Sequence, residues 1–307
     1  MKLLFHGPGH HKISHSIGLM CKTKNIDCEI TNSDHRIYNF DYNILILNQR
    51  YFDPTIFPTH IKVIYGPQFW VFPSGPLVGT CDSKYAKKCV YNCLSKWVEH
   101  IFFEMTRVGL KIPIVQFPFA IDIDRFKSEN IPKSIDCLVY VKRRSPKDIE
   151  IVLSHLRSSG YIYKMFTYGS YHEHDYLYDL QRTKCMIVLD AHESQGYALQ
   201  EAMSCNVPLF VCDVSSMYDE IENGRSNYAH YAPKKLLATS VPYWSEKCGE
   251  RITSLDAFGD FFDNFFKHSL SYTPREFVLS ELSPEICMDR ILEYFDITLP
   301  IPSPIPA

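Results

Sequence analysis

The sequence has no long apolar run. No stretch of its 307 residues approaches the roughly 18 apolar residues that a membrane-spanning helix needs. The start, Met1 to Gly7, carries too short an apolar run for a secretory leader. An excess of one charge is missing too. Lys and Arg number 32 and Asp and Glu 35, a net charge of −3, which gives no reason to expect a nucleic-acid partner. The eleven cysteines are an odd number. Cys89 and Cys93 lie four apart on what reads as a helix, and no second ligand pair at zinc-site spacing accompanies them. Reduced core thiols in a cytoplasmic protein are therefore expected. There is no internal repeat. The loop Gly7-Pro8-Gly9-His10-His11 after the first apolar run is not a G-x-G-x-x-G fingerprint, so a dinucleotide-dependent oxidoreductase is unsupported.

What is present is the profile of a folded chain, 46 % apolar and 22 % charged, long enough for two domains of about 130 to 160 residues each. Residues 1–130 hold fifteen Lys and Arg against eleven Asp and Glu. That mildly basic half favours an anionic acceptor or a peripheral membrane contact. Lys2–His6, Tyr42–Leu47, Ile61–Tyr65 and Ile112–Phe117 read as buried strands of a first parallel sheet. The polar stretch Lys127–Ser134 marks a boundary. Asp136–Val141, Met186–Asp190 and Pro208–Asp213 then read as strands of a second sheet. Thr273-Pro274-Arg275-Glu276 has the pattern of a capping box with proline at the first helical position. Ser283-Pro284 opens another helix, with Cys287, Met288, Ile291, Leu292 and Phe295 on one face.

The segment from Asp190 to Pro208 reads as strand, loop, helix, strand. Glu193-Ser194-Gln195-Gly196 is the loop, and Ala198, Leu199, Ala202 and Met203 give the helix an apolar stripe. A glycine-containing loop at a helix start on the C-terminal edge of a parallel sheet is a phosphate-binding geometry. Free backbone N–H groups and the positive helix end face the anion there. Glu193 precedes the helix and Glu201 lies within it. At that separation they cannot share a proton, but they can hold two ends of an extended ligand whose diphosphate sits between them.

This segment resembles the E-x7-E element of retaining GT-B glycosyltransferases of the family 4 type, commonly E-S-x-G-x-x-x-x-E-A-M-A-x-G-x-P. Glu193, Ser194, Gly196, Glu201, Ala202, Met203 and Pro208 match in register, and Asn206 stands where that family has glycine. The resemblance implies that Glu193 contacts the donor sugar near the reacting carbon. It also implies that Glu201 binds the ribose hydroxyls and that the backbone of Gln195, Gly196 and Tyr197 holds the diphosphate. A second element agrees. Where the family has G-R-x-x-x-x-K on the diphosphate, Lys142 and Lys147 keep the spacing of five, and Arg143 and Arg144 are basic neighbours. Phe119-Ala120-Ile121-Asp122, with Phe126, resembles the element leading into the family's interdomain linker. Asp122-Ile123-Asp124 also matches the D-x-D metal motif of GT-A enzymes, but its position before a linker fits the first reading better. Gly7 and Gly9 fall where the family has a glycine-rich loop near the phosphates. No N-terminal histidine is placed securely, and the end of the strand at Gly66-Pro67 offers Gln68 instead.

The expectation is a GT-B protein with two doubly wound Rossmann-like domains facing a cleft. Residues 1–130 form the acceptor side and residues 131–270 bind the nucleotide sugar. C-terminal helices over 271–298 cross back to the first domain, and 299–307 form a disordered tail. The expected function is metal-independent transfer of a sugar from a UDP- or GDP-linked donor to a glycan or other hydroxyl acceptor, with retention of configuration. No other cofactor is expected. A nucleotide-sugar 2-epimerase and a non-catalytic glycan-binding relative are the alternatives. The intact pair Glu193 and Glu201 argues against the second.

Overall fold

In a computed structural model, residues 1–7, 9–67, 83–106, 110–222, 225–226 and 236–299 are described. They form two compact units. One comprises Met1–Leu94, Val108–Ala120 and Pro284–Ala307, and the other Ser95–Arg107 and Ile121–Ser283. Pro8, Gln68 and residues 300–307 lie outside the described residues.

The first unit is built on a wholly parallel sheet. Its strands are β1 (Lys2–His6), β2 (Asp27–Thr31), β3 (Ile44–Leu47), β4 (Lys62–Tyr65), β5 (Cys89–Asn92) and β6 (Ile114–Val115), in the order β2-β1-β3-β4-β5-β6. Leu3, Leu4 and Phe5 of β1 and all of β3 are buried, as strands covered on both faces must be. Cys89 and Cys93 lie on and just after β5. The helix expected around them is a strand, because the four-residue apolar run is too short for a helix and pairs between β4 and β6. Helix His11–Thr23 packs against helix Pro284–Tyr294, and Lys24 pairs with Glu285 and Asp289, both at 2.9 Å. The C-terminal helix is therefore part of this first unit, while the preceding helix Pro274–Glu281 stays with the second.

The second unit has strands β7 (Ile135–Lys142), β8 (Tyr163–Thr167), β9 (Thr183–Asp190), β10 (Leu209–Cys212) and β13 (Gly249–Ile252). They are parallel throughout, in the order β13-β10-β9-β7-β8, with a separate hairpin of β11 (Ile221–Glu222) and β12 (Arg225–Ser226). One face of the sheet is covered by helix Phe258–His268. Its Phe258, Phe262 and Phe265 are buried against Phe210 of β10. At Gly249, φ is +135° and an added Cβ would stand 2.0 Å from the Leu209 carbonyl oxygen. Only glycine lets β13 approach β10 there.

After its first passage through Ser95–Arg107, the chain returns to this unit at Ile121, whose N–H donates to the Leu282 carbonyl at 2.9 Å. The polar stretch Lys127–Ser134, expected as the division, lies inside the second unit, because Phe126 just before it is already in that core. Arg275 holds the entry. Its guanidinium donates to the carbonyls of Ile123 at 3.1 Å, Phe126 at 3.1 Å and Ser204 at 2.6 Å. The expected capping box is absent. The Thr273 side chain makes no capping bond, and Glu276 pairs with Lys247 at 2.8 Å. Pro274 does open the helix.

Candidate functional site

The strands β7 and β9 are near-continuous apolar runs that end together in Lys142 and Asp190, which are ladder partners. Parallel pairing of two such strands delivers both polar ends to the C-terminal edge of the sheet, where ligands of open α/β folds bind. The loop after β9 is fixed at three points. Ala191 N–H donates to the Lys142 carbonyl at 3.0 Å, Glu193 N–H to the Thr239 carbonyl at 3.1 Å, and the Trp97 indole N–H to the Glu193 carbonyl at 2.8 Å. Gly196 then turns into helix Tyr197–Ser204 with left-handed φ +86° and ψ +55°. A glycine at the cap offers no side chain to the first-turn N–H groups, the geometry of a helix start that accepts an external anion.

The helix ends as tidily as it begins. Asn206 adopts φ +58°, its N–H donates to the Met203 carbonyl at 2.9 Å, and Val207 N–H donates to the Ala202 carbonyl at 3.0 Å. This is a Schellman cap, and asparagine tolerates the left-handed residue that glycine usually supplies.

Glu193 and Lys142 meet. The ammonium pairs with the Glu193 carboxylate, and it stands 4.6 Å from the Tyr168 ring centroid. Burial disfavours the Lys142 charge, but Glu193 and Asp190 outweigh it, so its pKa is raised. Glu201 is 3 % exposed within the helix. Tyr171, packed edge-on to Tyr140, is pushed up to about 12, by burial first and then by the charge of Glu201, with Glu193 adding to it. Both glutamates thus act on the surroundings of one tyrosine.

Other expected residues stand apart from this cluster. Gln195 is buried, its side-chain amide N–H donating to the Gln200 side-chain oxygen at 3.1 Å and its backbone carbonyl accepting from the Gln200 amide at 2.7 Å, so the two glutamines brace the loop. Ser194 is half-buried, and Tyr197 packs against the core. Arg143 reaches Glu220 at 2.8 Å, and Glu220 also holds His192 at 2.5 Å. Arg144 bonds the carbonyls of Asp190 at 3.0 Å and Cys212 at 2.8 Å, tying the ends of β9 and β10. Its role is structural. Lys147 is exposed in the first turn of helix Pro146–Ser158, whose cap is Ser145, and no described contact joins it to Lys142 or Glu193.

In the first unit, Gly7 takes φ +120°, where a Cβ would stand 1.9 Å from the Asn48 carbonyl oxygen. At Gly9 a Cβ would stand 3.4 Å from Phe5 and from Asn48. His10 caps helix His11–Thr23 through Nδ1, which accepts from Lys12 N–H at 3.3 Å. Asp122 accepts from Arg125 N–H at 3.0 Å, a local turn, and among the described residues no group of three acidic, histidine or cysteine side chains converges as a metal site. Trp97, Tyr168, Tyr171 and Glu220 lie outside the motif and are brought in by tertiary structure, Trp97 from a helix almost a hundred residues earlier, whereas Asp190 and His192 stand directly ahead of Glu193.

No protein-family model and no curated protein sequence matches the chain. Solved structures do. Anabaena Alr3699/HepE in complex with UDP and glucose is 9 % identical with a TM-score of 0.54, covering 96 % of this chain and 99 % of that one. The sucrose-phosphate synthase tll1590 from Thermosynechococcus elongatus is 10 % identical at TM-score 0.52, covering 96 % and 98 %. The fold is GT-B. A third GT-B structure, the lipopolysaccharide outer core galactosyltransferase WaaB in its apo form, is 10 % identical at TM-score 0.50, covering 96 % and 99 %. The chain spans 58 % of the longer TarM, at 12 % identity and TM-score 0.49. Among the described residues of this GT-B chain, no helix is long and apolar enough to cross a membrane.

Proposed function

We propose that the chain is a glycosyltransferase that takes its sugar from a UDP- or GDP-linked donor and retains the anomeric configuration. The observation that carries this reading is Glu193. It matches the first glutamate of the E-x7-E element, and it stands on Lys142 at the mouth of a helix that begins with an uncapped glycine. The diphosphate of the donor lies at that helix start, on the N–H groups from Gly196 onward, where the backbone dipoles favour an anion. Its charge competes with Glu193 for Lys142. Arg143 and Lys147 are the further cations of this edge. With these groups neutralising the leaving diphosphate, transfer proceeds without a metal ion. Glu193 faces the sugar and stabilises the positive charge that develops at the anomeric carbon. Glu201 holds the ribose hydroxyls, with Tyr171 beside it. The complex of HepE with UDP and glucose supports a nucleotide and a sugar as the ligands of this fold, and a glycan or other hydroxyl compound is the acceptor.

The test is slow hydrolysis of a panel of UDP- and GDP-sugars, with and without EDTA. Release of free sugar in the original anomeric configuration, unaffected by EDTA, supports the reading. Release of an isomerised nucleotide sugar without an acceptor identifies an epimerase. Activity restored only by manganese or magnesium overturns metal independence.

A further inference from the structure

Asp190 is fully buried at the end of β9, and neither carboxyl oxygen is satisfied by a described partner; the nearby Ala191 N–H, which favours the charged form, is directed to the Lys142 carbonyl at 3.0 Å. An ionised carboxylate in that position is costly, because nothing replaces the water it has lost. Its ladder partner is Lys142, whose ammonium is already committed to Glu193. Among the described residues, one cation therefore faces two carboxyl groups here. Asp190 stands three residues before Glu193, and both are gathered at Lys142, one by strand pairing and the other by its ion pair; two carboxyl groups brought together there can bond only if one carries a proton.

The other charged groups of the neighbourhood are occupied elsewhere. Arg144 donates to the Asp190 backbone carbonyl, to the Cys212 carbonyl and to Asp148 at 2.9 Å. Asp213 accepts from Thr239 and from Ser240 N–H, with Arg251 at 3.7 Å. Arg143 and His192 both go to Glu220. The Tyr140 hydroxyl on β7 is held neutral by burial, with Glu193 and Asp190 adding to it. Ser240 donates to the Asp190 carbonyl, not to its carboxyl. Among the described residues no cation is left for Asp190.

We propose that Asp190 is a neutral carboxylic acid that donates its proton in a hydrogen bond to Glu193 and so positions that carboxylate against Lys142. Burial is the largest influence in this direction. The negative charge of Glu193 adds to it and the positive charge of Lys142 resists it, and the pKa of Asp190 is raised well above the usual carboxylate range. Asp190 never reaches the substrate. It keeps Glu193 in one orientation when an arriving diphosphate draws Lys142 away. Its part in transfer rests on the function proposed above, whereas its protonation does not.

Two measurements test this, on the full chain. The first is the infrared difference spectrum at neutral pH between wild type and D190N. A carbonyl stretch of a protonated carboxyl group, present in wild type and missing in D190N, is expected. Its absence from wild type overturns the proposal whatever the protein's activity. The second is turnover of the nucleotide sugar found in the hydrolysis panel, together with affinity for UDP and GDP. D190L, which has no donor, should lose roughly 10- to 100-fold in turnover, the factor for one charge-assisted hydrogen bond, while keeping its nucleotide affinity. D190N keeps an N–H donor and should restore part of that loss. Because the neutral form is the working form, wild-type turnover falls as pH rises through the pKa of Asp190, and D190N lacks that alkaline fall. If D190N shows the same fall as wild type, or D190L turns over as wild type does, Asp190 does not position Glu193. If no nucleotide sugar turns over at all, the infrared band still decides the state of Asp190, and only the function falls.

Discussion

Replacing Gly196 by alanine tests the loop on which the site is built. Its backbone sits at φ +86° and ψ +55°, a left-handed conformation that costs an L-residue about 1–2 kcal/mol. Alanine also stiffens the unfolded chain, which returns about 0.4–1 kcal/mol. The added Cβ meets no backbone. It stands 3.4 Å from the Glu193 Cβ and 3.5 Å from its Cγ, a close contact that a small side-chain shift relieves. The expected net loss is therefore about 1 kcal/mol, read as a lower urea midpoint at unchanged slope. The group that must shift is the proposed catalytic carboxylate, so turnover of the donor should fall more than affinity for UDP. A Gly196→Ala variant as stable as wild type, with unchanged turnover, would show that the left-handed entry to this helix is not formed in solution.

Asn206 should be replaceable by glycine within about 0.5 kcal/mol, because either residue accepts the left-handed cap. Asn206→Val should cost about 1–2 kcal/mol in chemical unfolding, and equal stability of the two variants contradicts the Schellman cap. His6 is fully buried beside Asp34 at 3.1 Å, and burial lowers its pKa against the pull of Asp34. A histidine kept neutral by folding contributes stability that is present above the unfolded value, about 6.5, and is lost as pH falls below it toward the folded value. The urea midpoint of wild type should drop between about pH 7.5 and pH 5.5, and His6→Asn should lose part of that drop. An equal drop in both proteins removes His6 as its source.

How much was legible depended on where each strand lies in its sheet. β1, β3, β4, β7, β9 and β10 are interior strands buried on both faces, and each leaves a continuous apolar run in the sequence. β2, β8 and β13 are edge strands, with Ile30 46 % and Met165 49 % exposed, so they carry mixed side chains and no clear period, whereas the edge strand β6 was readable because Ile112, Val115 and Phe117 around it are buried. β5 is interior, but its Cys89 and Cys93 gave a helix-like spacing that four residues cannot support. At the site, the loop and helix of the motif carry a local signature, and the meeting of Glu193 with Lys142 follows from the ends of neighbouring strands. Trp97, Tyr168 and Tyr171 come from distant segments and leave none. Lys147 keeps the right spacing from Lys142 yet stands in solvent, because the turn at Arg143, with φ +51°, redirects the chain before Ser145 caps the next helix. Asp190 alone had a signal within reach: a charged residue closing an apolar strand directly ahead of the motif.

The central claim is that Glu193 and Glu201 serve opposite ends of one nucleotide sugar. It is tested most directly by measuring UDP and GDP affinity and donor turnover for Glu193→Gln and Glu201→Gln side by side. Glu193→Gln should lower kcat by roughly a hundredfold or more, since it removes charge stabilisation felt only in the transition state. It should leave nucleoside diphosphate affinity at or above that of wild type, because Lys142 is released from its ion pair. Glu201→Gln removes contacts already present with the free nucleotide, so it should weaken nucleotide binding and raise KM. Identical phenotypes contradict the assignment of the two ends, and two variants as active as wild type contradict the site itself.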